Sequence, residues 1–463
     1  VQHDLRLFIA LLQEESELST VSVEVDTKLE IAAVTDRICK QPDGGKALLF
    51  LRPKGYDFAV ATNLFGSYKR SSLALGIKNM GQLTDKMTDL LHLVYPFNLQ
   101  NIDTQISNLA EFNKFKPFHS KPLWEKDKTV STLYDFPFLQ NWNGDGSNSG
   151  NPRYITLGEI FTANPDSSTQ NCGIYRAQVI GANQLAIHWG KNSGAACHLT
   201  LHEKLNKNMP VAITLGGDPS LIFSAMMPLP GNLDEVTFAG FLQNLPLNVS
   251  PCHTTPLYVP STAEVLLEGF VVPGESFNEG PFGNYTGHYA PTGPAPVMHI
   301  TSISIRPDAI IPSTIVGVPP MEDSWMANAW ERILLPFLQK IHPEIINIHI
   351  PIQWSFHKSA IISLESPLPG MVREISSNLW KLSWFANSKI LIFVSSEIPV
   401  EQSGTVSWKA INEFNPRHDM IINADNNRIA VDATGCRLQK PSIQRGGDID
   451  SLISNRWSEY GLA

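Results

Sequence analysis

Charge is scarce in this sequence. Only 17% of its 463 residues are charged, the net charge is −9, and no run of lysine and arginine stands out. A nucleic-acid footprint needs a basic stripe, so that class of partner is excluded, whereas an anionic cofactor needs only one local positive site. The five cysteines (Cys39, Cys172, Cys197, Cys252, Cys436) are odd in number and form no CxxC pair. They read as reduced thiols, not as a disulfide framework or a zinc site. No apolar run approaches the ~20 residues that a membrane helix needs. The opening "VQHDLRLFIALLQEE" carries charges inside a helical pattern, unlike a signal peptide. A cytoplasmic location is expected, with peripheral contact to a membrane left open. Familiar catalytic signatures are missing too: no Walker P-loop, no GxSxG elbow, no HExxH helix, and no GxGxxG between a strand and a helix. A Rossmann domain is therefore not expected.

The length calls for two or three domains, and 43% hydrophobic residues describe a globular chain. Residues 1–114 mix helix and strand. Leu5, Phe8, Ile9 and Leu12 recur at helical spacing, and "VSVEVD", "ALLFLR" and "YDFAVATNLFG" read as strands. From 115 to 310 short apolar runs alternate with turn signals, which predicts a mostly antiparallel barrel or sandwich. "GAN" at 181–183 is its clearest hairpin turn. On the returning strand Leu185, Ile187 and Trp189 share one face and His188 takes the other. Residues 311–463 read as a second α/β unit: a long helix through Trp330, Ile333, Phe337 and Ile341, kinked or broken at Pro336, then "INIHIPI" and "SKILIFV" as strands around "MVREISSNLWKLSWFA". The polar tail from about 437 is expected to lie over a surface or a neighbouring subunit. The fold class is mixed α+β.

The polar residues that could carry chemistry are scattered. "FNEGPFGNYTGHYAPTG" (277–293) sets Glu279 among glycines and prolines that let backbone approach a ligand closely. Arg176 lies in "NCGIYRAQ", a strand apolar enough to bury it, and a buried arginine must be paired. Its partner is either a structural carboxylate or, in a site that binds a carboxylate substrate, Glu279. His188 and Glu235, each alone, fit an ordinary hydrogen-bonding strand histidine and a helix-capping acid.

In order and spacing, "DLRLFIALL", "PKGYDFAVATNLFG", "NWNGDG", "NCGIYRAQVIG", "LGGDPS", "DEVTFAGFL", "EGPFGNYTGHY", "VGVPPMED" and "VDATG" resemble the UbiD family of prenylated-FMN-dependent decarboxylases nearly end to end. The resemblance implies a split β-barrel flavin-binding domain over 115–310 and an oligomerising C-terminal domain. It puts Asn171, His188 and Glu235 where the family holds a divalent metal, usually manganese, against the cofactor phosphate; K+ is a further cation it allows. Ile174, Tyr175 and Arg176, with Trp189, Gly190, Ser193 and Gly194, would line the flavin site, and Lys389 matches a cofactor-contacting lysine. Arg176 and Glu279 match two members of a catalytic Arg–Glu–acid network. The third position is Asn284, which cannot exchange a proton. Glu279 with a pKa raised by burial, or His288, would then deliver the proton, or the protein is a flavin-binding assembly subunit without turnover. A metal-dependent hydrolase on Asn171, His188 and Glu235 is the reading that ignores the family. Implied partners are a small aromatic carboxylic acid, a flavin prenyltransferase supplying the cofactor, and further copies of the chain as a dimer or hexamer. The implied reaction is reversible decarboxylation in ubiquinone or menaquinone biosynthesis.

Overall fold

The computed structural model describes residues 4–126, 130–148, 150–167, 169–227, 229, 233–354, 358–424, 427–437 and 446–461. Helix Leu5–Glu14 opens it, with Asp4 accepting a hydrogen bond from the Leu7 amide at 2.8 Å and Leu5, Phe8, Ile9 and Leu12 as its buried stripe. It packs beside a four-stranded sheet ordered Leu18–Val25, Ala47–Pro53, Ala59–Thr62, Ile310–Ser313. The last strand is a departure from the sequence reading, which leaves 310–313 at the junction of the central and C-terminal units. It pairs in parallel with Ala59–Thr62, and its apolar Ile311 is buried there.

The central unit is a curled half-barrel. Its main strands are β1 (Tyr154–Ile155), β2 (Gly158–Ala163), β3 (Gln170–Ile174), β4 (Arg176–Gly181), β5 (Gln184–His188), β6 (Met209–Leu215), β7 (Val265–Glu279) and β8 (Gly293–Ile305). They run in the order β1-β4-β5-β8-β7-β6-β2-β3. β3 and β4 follow each other in the chain with only Tyr175 between, yet β3 lies at one end of that order and β4 next to the other end. The sheet has to curl until its two ends nearly meet, and residues 171–176 become the seam. Ile160, Val179, Leu185, Ile187, Val211, Ile213, Leu267 and Met298 fill one face. Helices α1 (Gly194–Leu205) and α2 (Glu235–Gln243) flank the seam.

Helix α3 (Glu322–Ile341) runs unbroken through Pro336, where the sequence pattern predicted a kink or break. A proline there forfeits one backbone hydrogen bond, and the burial of Leu334, Leu335, Pro336, Phe337 and Leu338 on all sides of it outweighs that loss. A five-stranded sheet follows, ordered Ile345–His349, Ser359–Leu364, Ile390–Ser395, Arg428–Asp432, Met420–Asn423. Of the expected surface-draping tail, 438–445 lies outside the described residues. Helix Gly447–Asn455 beyond it buries none of its residues. Among the described residues no helix is long and apolar enough to cross a membrane.

Candidate active site

Arg176 begins β4 and Glu279 ends β7, 103 positions apart in the chain. The Arg176 guanidinium donates from Nε to Oε1 and from Nη2 to Oε2 of Glu279, both at 2.8 Å, a bidentate charge-assisted pair. Its face lies over the Phe282 ring with Cζ 4.8 Å from the centroid. Glu279 is fully buried, while the Arg176 side chain keeps 15% of its surface exposed. Burial pushes the Glu279 carboxyl up, but hydrogen bonds from His188 and Arg176 and the guanidinium charge outweigh it and hold the pKa down to about 2. This corrects the expectation of a carboxyl raised by burial: the carboxylate is ionised, because its burial comes with two donors.

His188 is one of those donors. β5 pairs with β4 so that His188 faces Arg176 directly across the strands, and side chains opposite each other share a face. Its Nδ1 lies 3.3 Å from Glu279 Oε2. Register therefore places the imidazole beside the Arg176–Glu279 pair. Among the described residues no group of three or more His, Cys, Asp or Glu side chains converges as a metal site.

Four residues that sequence reasoning missed hold the Glu279 loop in place. Gln178 Oε1 accepts from the Gly280 amide at 3.0 Å, while its Nε2 donates to the Asn151 carbonyl at 2.9 Å. Asp145 Oδ1 accepts from the Gly283 amide at 2.8 Å, and its Oδ2 from the Trp142 amide at 2.8 Å. The Trp142 ring lies so close to Gly283 that a Cβ there would sit 2.2 Å from Cδ1. Tyr154 packs on Phe282, with ring centroids 4.7 Å apart. The "NWNGDG" run was a visible signal for Trp142 and Asp145. Nothing local marked Gln178 or Tyr154, whose roles arise only from cross-strand register.

Asn284 and His288 sit in the turn that follows. Asn284 Oδ1 accepts from the Thr286 amide at 2.9 Å and from its hydroxyl at 2.5 Å, so this side chain closes a local turn. His288 is exposed, and its backbone carbonyl accepts from the Asn284 amide at 3.2 Å.

At the β3 side of the seam, Asn171, Tyr175, Ser193, Gly194 and Glu235 come together. Glu235 begins α2 and accepts at Oε2 from the Cys172 amide at 3.0 Å. Burial lifts its carboxyl to about 8, against backbone donors at Cys172 and at Glu235 itself. Asn171 Nδ2 is buried with no hydrogen-bond partner. A Cβ on Gly194 would fall 1.8 Å from Asn171 Oδ1, so glycine is what lets the amide reach the first turn of α1. Ser193 caps that twelve-residue helix, its Oγ accepting from the Ala196 amide at 3.2 Å. Burial raises the Tyr175 phenol, and the nearby polar side chains of Ser193 and Asn171 offset part of the shift. A buried carboxyl without a cation, an unpartnered amide and an open helix N-terminus fit a phosphate with its divalent metal. Tyr175 and Trp189 meet edge to face at 6.2 Å; they and Ile174 are half-buried, and Gly190 is exposed. Lys389 is not brought here: it lies exposed ahead of strand Ile390–Ser395, where its charge helps lower the pKa of Lys358.

Models described as the N-terminal, Rift-related and C-terminal domains of 3-octaprenyl-4-hydroxybenzoate carboxy-lyase match residues 9–90, 116–319 and 324–442. An uncharacterised protein of Archaeoglobus fulgidus is 37% identical over 420 residues, covering 90% of this chain and 86% of its own. One from Aquifex aeolicus is 35% identical over 462 residues, 99% and 93% of the two chains. The closed form of the vanillic acid decarboxylase of Sedimentibacter hydroxybenzoicus has the same fold, with a TM-score of 0.84 at 23% identity over 100% of both chains. An evolved dimeric form of the UbiD-class enzyme HmfF from Pelotomaculum thermopropionicum, in complex with prFMN, gives 0.81 at 25% identity over 98% of this chain and 100% of its own. Fold and family models together define a carboxy-lyase. The chain belongs to the UbiD family.

Proposed function

We propose that the chain is a prenylated-FMN-dependent enzyme that reversibly decarboxylates an aromatic or α,β-unsaturated carboxylic acid. The observation that carries this reading is the bidentate Arg176–Glu279 pair, set on the same seam segment as the phosphate cradle. Asn171, Glu235 and the Ser193-capped end of α1 would hold the cofactor phosphate and its metal, with Mn2+ suited to amide and carboxylate oxygens. Ile174, Tyr175 and Trp189 would line the ring system. When bound, the prenylated flavin supplies the electron sink that loss of CO2 from an sp2 carbon demands.

The chain's own residues do the rest. Arg176 receives the substrate carboxylate, because a guanidinium fork matches a carboxylate bidentately. Glu279 keeps Arg176 charged and aimed while the site is empty. When the guanidinium turns to the substrate, Glu279 loses its strongest stabiliser and can accept and pass on a proton. His188, against Oε2, is the adjacent group through which that proton can exchange with solvent, since half of its side chain is exposed. Asn284 takes no proton and serves the turn.

Within this class, the narrower candidates are acids of quinone biosynthesis, a polyprenyl 4-hydroxybenzoate or a dihydroxynaphthoate; the support is the family description and overall sequence similarity. The test is co-expression with a flavin prenyltransferase, mass spectrometry of the extracted cofactor, and 13C-bicarbonate exchange into a panel of aromatic acids. Prenylated flavin together with exchange is the expected result. Prenylated flavin with no exchange into any acid would favour the non-catalytic assembly subunit, the second reading, for which Asn284 is the motive.

A further inference from the structure

Tyr154 is buried at 1% exposure, and its hydroxyl makes no hydrogen bond. Leaving a buried hydroxyl unpaired is costly, and such groups in native proteins generally await a partner. Its surroundings identify the partner. β1 pairs with β4 so that Tyr154 stands opposite Gln178; Arg176, two residues along β4, projects to the same face. The Tyr154 ring lies against Phe282, which carries the Arg176 guanidinium on its own face. Burial raises the Tyr154 phenol first, followed by the negative charge of Glu279 and the hydroxyl's approach to that same carboxylate, short of a full hydrogen bond. The hydroxyl therefore keeps its proton and acts there as a donor. Glu279 accepts two hydrogen bonds from Arg176 and has His188 Nδ1 3.3 Å from Oε2, and an ionised carboxylate has about four lone-pair sites.

We propose that Tyr154 is a positioning residue for Glu279: its unpaired hydroxyl takes the lone pair that Arg176 vacates on turning toward the substrate carboxylate. The carboxylate is thereby held in its catalytic orientation at the step where its main anchor leaves. This inference rests on the decarboxylase reading above, and Arg176→Ala serves as the control for the role that reading gives Arg176.

The experiment compares wild type, Tyr154→Phe and Arg176→Ala, each as flavin-loaded holoenzyme, on an acid that the wild type turns over. Tyr154→Phe should load flavin normally and keep KM within about twofold. Its kcat should fall about tenfold, the loss of one hydrogen bond to a charged group, and the acid limb of its kcat profile should move to higher pH, because Glu279 loses a donor. A wild-type kcat with an unmoved acid limb overturns the proposal even if Arg176→Ala is inactive. Should Arg176→Ala remain active, the assignment of Arg176 to the substrate carboxylate fails, and the proposal with it; a wild type that turns over no acid sinks the decarboxylase reading itself. If Tyr154→Phe does not fold, 3-fluorotyrosine placed at 154 gives the answer by 19F NMR. Its resonance should shift on saturation with benzoate in wild type and stay put in Arg176→Ala; no shift in the wild-type background overturns the proposal.

Discussion

On the proposed reading Arg176 serves two carboxylates, that of Glu279 and that of the substrate, and it cannot grip both with the same N–H groups. That conflict sets the residue-scale expectations. Arg176→Ala should lower turnover by at least about 100-fold, in the range found for removing one preorganised charge-stabilising donor, while flavin absorbance is retained. Glu279→Gln keeps the shape but retains only one of the two acceptors for Arg176 and cannot carry a proton, so solvent deuterium should stop appearing at the reacting carbon in NMR of the product. Asn284→Asp preserves the acceptor for the Thr286 amide and hydroxyl. Its melting temperature should stay near wild type, and its rate at pH 5 to 6 should rise if a second acid there can reach the substrate; unchanged rates leave Glu279 as the sole carrier. Arg176 and Glu279 were legible in the sequence because a charge in an apolar strand and an acid in a glycine-rich loop each need an explanation. The partner of His188 was not legible, since it depends on which residue the hairpin register sets opposite Arg176.

At the scale of elements, glycines mark where two segments touch. Gly283→Ala should collide with the Trp142 ring and displace the loop that carries Glu279, so kcat should fall far more than flavin content. Gly194→Ala should do the reverse, pushing Asn171 out of the cradle and lowering retained flavin and metal, measured by absorbance and elemental analysis. β2 makes a pH prediction. Glu159 is fully buried with Oε1 unpartnered and Oε2 accepting from the Thr214 hydroxyl at 2.5 Å. Burial raises its carboxyl to about 8. The folded protein thus holds a proton that the unfolded chain releases near pH 4.5, so stability should fall as pH rises from about 4.5 to 8. Glu159→Gln should flatten that decline, by an amount on the order of a few kcal/mol; parallel melting curves for the two proteins at pH 5 and 8.5 would refute it. Turn chemistry announced the β4–β5 hairpin in advance. The unbroken course of α3 through Pro336 was not announced, because packing on all sides decided it.

For the whole molecule, composition and texture were enough to read a mixed α+β fold with a barrel-like centre. They could not show that strand Ile310–Ser313 returns to the N-terminal sheet, a pairing with a segment about 250 residues earlier. The same kind of contact ties helix Leu5–Glu14 to the barrel, where Arg6 Nε and Nη2 reach Glu264 at 2.9 and 2.8 Å. The first and central units should therefore melt in one transition. Helix Gly447–Asn455 leaves Ile449 and Leu452 exposed; light scattering should find a dimer or larger species, and a monomer would contradict the expected self-association.

The seam has a consequence for handling the protein. On the proposed reading the segment that receives the flavin is also the join between the sheet's last strand and the strand next to its other end, so a docked ligand would close the architecture. Protein made without cofactor should gape along residues 171–176, yield to protease there first, and regain resistance when flavin and metal are restored together.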